Sequence, residues 1–122
     1  MKLSNHTILI TGGGSGIGRA LAEAFHASGN KVVIAGRRRA ALGEVVKANP
    51  GMTSIMLDIE NGQTIPSFAK QLLGAYPSLD IVVHNVGERD RRSFDEIDAE
   101  AFARLIDVDL TAAHALVKQV VP

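Results

Sequence analysis

The segment Thr11-Gly12-Gly13-Gly14-Ser15-Gly16-Ile17-Gly18 decides the fold, because the pattern of apolar residues changes across it. The four residues before it, Thr7-Ile8-Leu9-Ile10, form a short β-branched apolar run that predicts a buried strand. Residues 17–27 carry apolar side chains at spacings of three and four, which predicts an amphipathic helix that stops at Gly29. A strand, a glycine-rich turn and a helix form the first half of a βαβ unit.

The same alternation continues along the chain. Further strands are predicted at residues 31–35, 53–57 and 81–84, and further helices at residues 38–48, 63–75 and 100–120. Strands that alternate with helices pair in parallel through right-handed crossovers, and the helices cover both faces of the sheet. We therefore predict one α/β domain over residues 1–122, a Rossmann-like doubly wound parallel sheet with four strands and four helices. We expect it to be incomplete, because the last helix reaches Pro122 without a cap or a closing strand.

The composition narrows the range of functions. Hydrophobic residues make up 46% of the 122 residues and charged residues 21%, which is typical of one soluble globular domain. Thirteen basic and thirteen acidic residues cancel, so no nucleic-acid or membrane partner is predicted. The absence of cysteine excludes a thiolate site, and four scattered histidines predict no metal site. With no signal peptide and no apolar run near 18 residues, we expect a cytoplasmic protein.

The glycine loop has the requirements of a diphosphate site. Backbone N–H groups at a helix N-terminus attract an anion, and glycines allow both the tight turn and the close approach of the ligand. We expect Gly12 to make the turn, Gly16 to admit the diphosphate, and Gly18 to let the helix pack on the strand. A glycine-rich connection without a ligand is the simpler alternative. The preceding strand and the following helix favour dinucleotide binding.

Three motifs together resemble the short-chain dehydrogenase/reductase family. Thr-Gly-x-x-x-Gly-Ile-Gly at residues 11–18 is similar to the cofactor signature of that family. Asn85-Val86-Gly87, after the fourth strand, is similar to its Asn-Ala-Gly, and Leu57-Asp58-Ile59, after the third, is similar to its adenine-contacting Asp-Val or Asp-Ile. The resemblance covers essentially the whole chain and about the first half of a typical member. It implies an oxidoreductase that transfers hydride between a nicotinamide cofactor and a carbonyl or alcohol substrate.

The resemblance also implies roles for individual residues. Asp58 would accept a hydrogen bond from the adenine amino group, and Ile59 would border the adenine ring. Asn85 and Gly87 would lie beside the ribose on the nicotinamide side, with Val86 adding bulk near the cofactor. In simpler interpretations, Asp58 caps a helix and residues 85–87 turn the chain. These residues all lie at the carboxyl ends of consecutive parallel strands, and this joint position favours a cofactor site. We expect Ile17 of the glycine loop to belong to the same site.

The end of the second strand indicates which dinucleotide is bound. NAD-dependent folds usually place a carboxylate there, whereas this chain has Gly36 followed by three arginines. Cations at a helix N-terminus are unfavourable unless an anion lies between them, and arginine binds phosphate in a bidentate manner. We predict that Arg37 is the main 2′-phosphate ligand, with Arg38 as its partner and the Ser15 hydroxyl as a further donor. The cofactor is then NADP(H) in preference to NAD(H), although a solvated basic turn is the alternative.

The catalytic residues of the family are not matched in this chain. The family uses a Tyr-x-x-x-Lys pair and a serine that follow a fifth strand, and the lysine lowers the tyrosine pKa for proton transfer. The single tyrosine, Tyr76, lies before the fourth strand and lacks a lysine four residues later. Asp109 occupies the position of the family's asparagine on the long helix. We therefore assign no catalytic residue and expect the chain to be inactive alone.

Two hypotheses about the whole chain remain open from the sequence. In the first, it is the cofactor-binding portion of a longer oxidoreductase, truncated before the catalytic half. In the second, it is a stand-alone dinucleotide-binding or protein-interaction module. Under either hypothesis the fourth strand has an open edge, and we expect a homo-oligomer.

Overall fold

The computed structural model describes residues 4–14, 16–58, 62–85 and 99–100 of the chain. Its elements are β1 (Thr7–Thr11), α1 (Gly16–Ala27), β2 (Lys31–Gly36), α2 (Arg39–Ala48), β3 (Thr53–Met56), a 3-10 turn (Gly62–Thr64), α3 (Ile65–Ala75) and β4 (Ile81–Val83). Residues 99–100 are helical, and the rest of the fourth predicted helix lies outside the described residues. The strands form one parallel sheet in the order β3-β2-β1-β4, which confirms the Rossmann-like prediction.

The two faces of the sheet carry separate hydrophobic cores. The core beneath α3 contains Leu9, Val33, Ala35, Ile55, Leu57, Ile65, Phe68 and Leu72. The core beneath α1 and α2 contains Ile8, Ile10, Ala22, Val32, Ile34, Leu42, Val45 and Met52. Successive residues of β1 and β2 alternate between these cores, as the two-residue period of a strand requires. Helices on both faces therefore make the sheet doubly wound.

Some element boundaries differ from the predicted ones. The third helix was predicted from residue 63, but α3 begins at Ile65, because residues 62–64 form a 3-10 turn and Pro66 occupies its first turn. The second helix was predicted from Arg38, which instead is the extended N-cap residue of α2, with φ −102° and ψ 98°. Two of the three arginines therefore precede the helix, and only Arg39 lies in its first turn.

Two sets of hydrogen bonds hold β4 beside β1. Before the strands, the Asp80 carboxylate accepts a bond from the Thr7 N–H at 2.8 Å and lies 2.6 Å from Nδ1 of His6. After the strands, the Asn85 N–H donates to the Thr11 hydroxyl oxygen at 3.0 Å. The contacts with His6 and then Thr7 stabilise the charged carboxylate and lower the pKa of Asp80. The second set places Asn85 directly beside the glycine loop.

Candidate functional site

The glycine loop turns over the carboxyl end of β2. Gly12 has a φ of 67°, a conformation that favours glycine, and its N–H donates to the Ala35 carbonyl at 2.8 Å. Gly16 has a φ of 59°, and a Cβ atom added there would meet no atom of the described residues within 4 Å. The described residues therefore leave the space beside Gly16, at the start of α1, open to a ligand. The loop residue Ser15 lies outside the described residues.

Gly18 is packed where β1, α1 and the end of β4 meet. A Cβ atom on Gly18 would collide with the Gly12 carbonyl oxygen and lie 2.5 Å from Nδ2 of Asn85. Asn85 Nδ2 itself donates to that oxygen at 3.4 Å. Helix α1 thus approaches the strand as closely as the glycine motif requires, and the structure brings Gly12, Gly18 and Asn85 together.

A second close approach was missed by sequence reasoning. A Cβ atom on Gly13 would lie 2.5 Å from Cγ2 and 2.6 Å from Cβ of Ile34, in the middle of β2. Gly13 therefore lets the loop lie flat against the neighbouring strand. The uninterrupted run of three glycines was the available signal, because the motif itself accounts for only the first of them.

Arg37 and Asp58 line the same pocket, which has a volume of about 360 Å³. They come from the ends of β2 and β3, and the pocket also contacts Met56, Leu57, Thr64, Ser67, Phe68 and Gln71. This volume lies within the range of about 300–1,000 Å³ that is usual for ligand pockets. The structure therefore brings together Arg37, predicted to bind the 2′-phosphate, and Asp58, predicted to bind the adenine. The contributions of α3 to this pocket were not foreseen.

The two exposed large apolar side chains among the described residues both lie in this region. Ile17, in the glycine motif, is 74% exposed, and Met56, in the pocket, is 40% exposed. Exposed apolar groups beside polar ones are typical of ligand sites. Ile59, Val86, Gly87 and Asp109 lie outside the described residues, so their predicted roles remain predictions.

Among the described residues, the end of β2 and the first turn of α2 contribute no carboxylate, although Asp58 at the end of β3 lines the same pocket as Arg37. Gly36 is the last residue of β2, and the first turn of α2 contains no acidic residue. A Cβ atom on Gly36 would make only ordinary contacts with Leu42, the nearest at 3.5 Å. The position could therefore hold a side chain, so the missing carboxylate is not a consequence of lack of space.

Tyr76 lies at the opposite end of the sheet. Its hydroxyl is 2.5 Å from Oγ1 of Thr53, and the Lys31 ammonium lies 5.4 Å from the centre of its ring. Lys31 and Thr53 are the first residues of β2 and β3, whereas the glycine loop lies at the carboxyl ends of the strands. This location separates Tyr76 from the candidate site.

Within the described parts of the chain, no helix is long and apolar enough to cross a membrane. The same residues contain no cluster of three or more His, Cys, Asp or Glu side chains that could hold a metal ion.

The chain is similar in sequence and in fold to short-chain dehydrogenases. The family model described as short chain dehydrogenase matches residues 6–122. Human L-xylulose reductase is 33% identical over 110 residues, which are 90% of this chain and 43% of that protein. A short-chain dehydrogenase from Streptomyces avermitilis has a TM-score of 0.91 and 32% identity, and the match covers all of this chain and 45% of that one. The chain thus spans about half the length of such relatives.

Two of the similar solved structures contain a cofactor, NADPH in one and NADP in the other. A short chain dehydrogenase from Escherichia coli CFT073, complexed with NADPH, has a TM-score of 0.85 and 26% identity. The match covers 97% of this chain and 53% of that one.

Proposed function

Because the chain belongs to the short chain dehydrogenase family, we propose that it is the NADP(H)-binding portion of an oxidoreductase. The observation that carries the proposal is the shared pocket of Arg37 and Asp58 at the carboxyl ends of β2 and β3. Such strand ends are where open α/β sheets bind dinucleotides. The NADPH complex of the similar Escherichia coli protein supports the same cofactor.

Each part of the site has a proposed role toward the cofactor. The glycine loop, with Gly12, Ser15, Gly16, Ile17 and Gly18, accepts the diphosphate at the N-terminus of α1. Arg37 and Arg38 bind the 2′-phosphate, since a guanidinium pairs with phosphate through two parallel hydrogen bonds. Asp58 and Ile59 hold the adenine, and residues 85–87 lie beside the nicotinamide ribose. When bound, the cofactor supplies or accepts a hydride. We assign no residue of this chain to proton transfer.

Titration calorimetry of NADP+ and NAD+ tests the proposal on the purified chain. We expect tighter binding of NADP+, and we expect Arg37→Ala to weaken it roughly 10- to 100-fold, the effect of a charged hydrogen-bonded pair. Arg39→Ala is the matched control, because Arg39 is exposed in the first turn of α2 and does not line the pocket. Equal binding of both dinucleotides, or equal effects of the two substitutions, would contradict the proposal.

Gly36→Asp provides an independent arm of this test. A Cβ atom at this position makes only ordinary contacts with Leu42, and the added carboxylate would repel a 2′-phosphate and accept hydrogen bonds from a ribose. We expect the ratio of NADP+ to NAD+ affinity to fall in this variant. A ratio that stays unchanged would mean that the end of β2 does not contact the adenosine ribose.

A further inference from the structure

The glycine loop touches the first turn of α2 as well as the strands. A Cβ atom added at Gly14 would lie 3.3 Å from Cβ of Ala41, 3.5 Å from Cδ2 of Leu42 and 3.6 Å from the backbone nitrogen of Leu42. The first of these distances is shorter than an ordinary van der Waals contact, which begins at 3.4 Å. Gly14 therefore lies against α2 without spare room for a methyl group.

Leu42 also connects the loop to the end of β2. Its Cδ2 atom would lie 3.5 Å from a Cβ atom added at Gly14 and 3.5 Å from one added at Gly36. The residue is 2% exposed and belongs to the core beneath α1 and α2. The loop and the strand end cannot come closer together without displacing Leu42, because protein interiors are close-packed.

Arg37 and Arg38, which we call the arginine turn, are held between the same two elements. The Gly36 carbonyl accepts a hydrogen bond from the Leu57 N–H at 2.8 Å, and the Arg38 carbonyl accepts one from the Leu42 N–H at 3.1 Å. Arg38 is also the N-cap residue of α2. A shift of the first turn of α2 therefore moves the arginine turn relative to the glycine loop.

The two segments carry the two proposed phosphate subsites. The glycine loop is proposed to bind the diphosphate, and the arginine turn is proposed to bind the 2′-phosphate. A bidentate pair between a guanidinium and a phosphate adds geometric specificity to its binding energy. A changed distance between the segments therefore weakens a dinucleotide that occupies both subsites more than one that lacks the 2′-phosphate.

We propose that the fit of Gly14 against Ala41 and Leu42 sets the distance between the glycine loop and the arginine turn, and that this distance contributes to the preference for a dinucleotide with a 2′-phosphate. The inference rests on the proposed function and extends it to residues that do not line the pocket of Arg37. Gly14 and Ala41 are positioning residues, because they act on the 2′-phosphate through the arginine turn.

Gly14→Ala changes this distance. The φ of Gly14 is not positive, so its backbone suits alanine. The Cβ atom of Ala41 is fixed to the helix backbone and cannot rotate away, so the loop or the first turn of α2 must shift by a few tenths of an ångström. Titration calorimetry of NADP+ and NAD+ with the full 122-residue chain gives the ratio of the two affinities. We expect this ratio to fall about fivefold, which is less than the loss in Arg37→Ala. An unchanged ratio would overturn the inference.

A second substitution moves the missing space to the other side of the contact. Ala41→Gly, combined with Gly14→Ala, removes the methyl group that the new one meets. We expect the ratio of affinities to return to within about twofold of the wild-type value. Gly14→Ala combined with Ala40→Gly is the matched control, because Ala40 is exposed in the same turn and supplies none of the three atoms nearest to the added Cβ. We expect its ratio to stay low. Rescue in both double variants, or in neither, would overturn the inference.

Thermal unfolding followed by circular dichroism separates positioning from a general loss of structure. Both double variants place a glycine inside α2, which should lower the melting temperature by about 4 °C relative to Gly14→Ala. In the variant with Ala41→Gly, the ratio of affinities should therefore recover while the melting temperature falls. A ratio that follows the melting temperature across the three variants would contradict the inference.

Arg37→Ala distinguishes failure of the inference from failure of the proposed function. If Arg37→Ala lowers the ratio while Gly14→Ala does not, the inference is wrong and the proposed function stands. If the wild-type chain does not bind NADP+ more tightly than NAD+, both are overturned. A lowered ratio in both variants, together with rescue by Ala41→Gly and not by Ala40→Gly, supports both.

Discussion

Gly18→Ala tests how closely α1 packs on the end of β1. In the structure, the added methyl group would overlap the Gly12 carbonyl oxygen and lie 2.5 Å from Asn85 Nδ2. The first of these groups belongs to the backbone, which cannot move aside by a simple side-chain rotation. The second belongs to the hydrogen bond between Asn85 and Gly12. The substitution therefore forces α1 away from the sheet or breaks the link between β1 and β4.

Two opposing effects determine how much Gly18→Ala changes the free energy of unfolding. Overpacking of a close contact costs about 1–3 kcal/mol, and a backbone clash belongs at the upper end of that range. Replacing glycine by alanine inside a helix stabilises the helix by about 1 kcal/mol. We expect a net loss near 2 kcal/mol in the free energy of unfolding. For a chain of this size, that corresponds to a fall of about 8 °C in the melting temperature.

Gly43→Ala is the control for helix propensity. Gly43 lies inside α2, and a Cβ atom there would meet no atom within 4 Å in the part of the chain that the structure describes. We expect this variant to gain about 1 kcal/mol, so the two variants should differ by about 3 kcal/mol. Urea unfolding followed by circular dichroism at 222 nm measures both. If Gly18→Ala is as stable as Gly43→Ala, the packing argument is wrong.

Three further predictions concern pH, activity and assembly. Because the pKa of Asp80 is lowered in the folded chain, its contribution to stability is present above the ordinary value of 3.8 and is lost as the pH falls through the lowered pKa. The free energy of unfolding should therefore decline less with falling pH in Asp80→Asn than in wild type. Identical pH profiles of the two proteins would contradict this prediction. We expect no dehydrogenase or reductase turnover from the 122-residue chain with NADP(H), since Tyr76 contacts Thr53 at the far end of the sheet; cofactor-dependent turnover that persists in Tyr76→Phe would show that other residues act. We also expect the chain to self-associate through β4, because β4 is an edge strand of the described sheet and has three half-buried apolar residues. Light scattering at several concentrations measures this, and a stable monomer at high concentration would refute it.

The strands and the glycine loop could be predicted because each has a local signal. All five residues of β1 are buried, which agrees with its uninterrupted apolar and β-branched sequence. The positive φ of Gly12 likewise agrees with a turn that glycine favours. The start of α3 was harder to predict, because the 3-10 turn at residues 62–64 runs directly into the α-helix, and such turns are frequent at helix N-termini.

The contribution of Thr64, Ser67 and Gln71 to the pocket could not be predicted, since it depends on packing between distant segments. Ser67 and Gln71 look like ordinary solvent-facing positions of an amphipathic helix. Only the distance between α3 and the end of β3 turns them into pocket residues. The contact between Gly13 and Ile34 depends in the same way on how β1 and β2 are paired.

Register explains why residues so far apart in sequence form one site. Gly36 pairs with Met56, and the Leu57 N–H donates to the Gly36 carbonyl at 2.8 Å, so β2 and β3 leave the sheet at the same level. Arg37 and Asp58 are the next residues after this last bond, and both therefore enter the same pocket. A slip of one residue in β3 would shift Asp58 by about 3.3 Å and turn Ile55 and Leu57 away from α3. Because that slip would also expose buried apolar side chains, the packing that stabilises the core also fixes the geometry of the cofactor site.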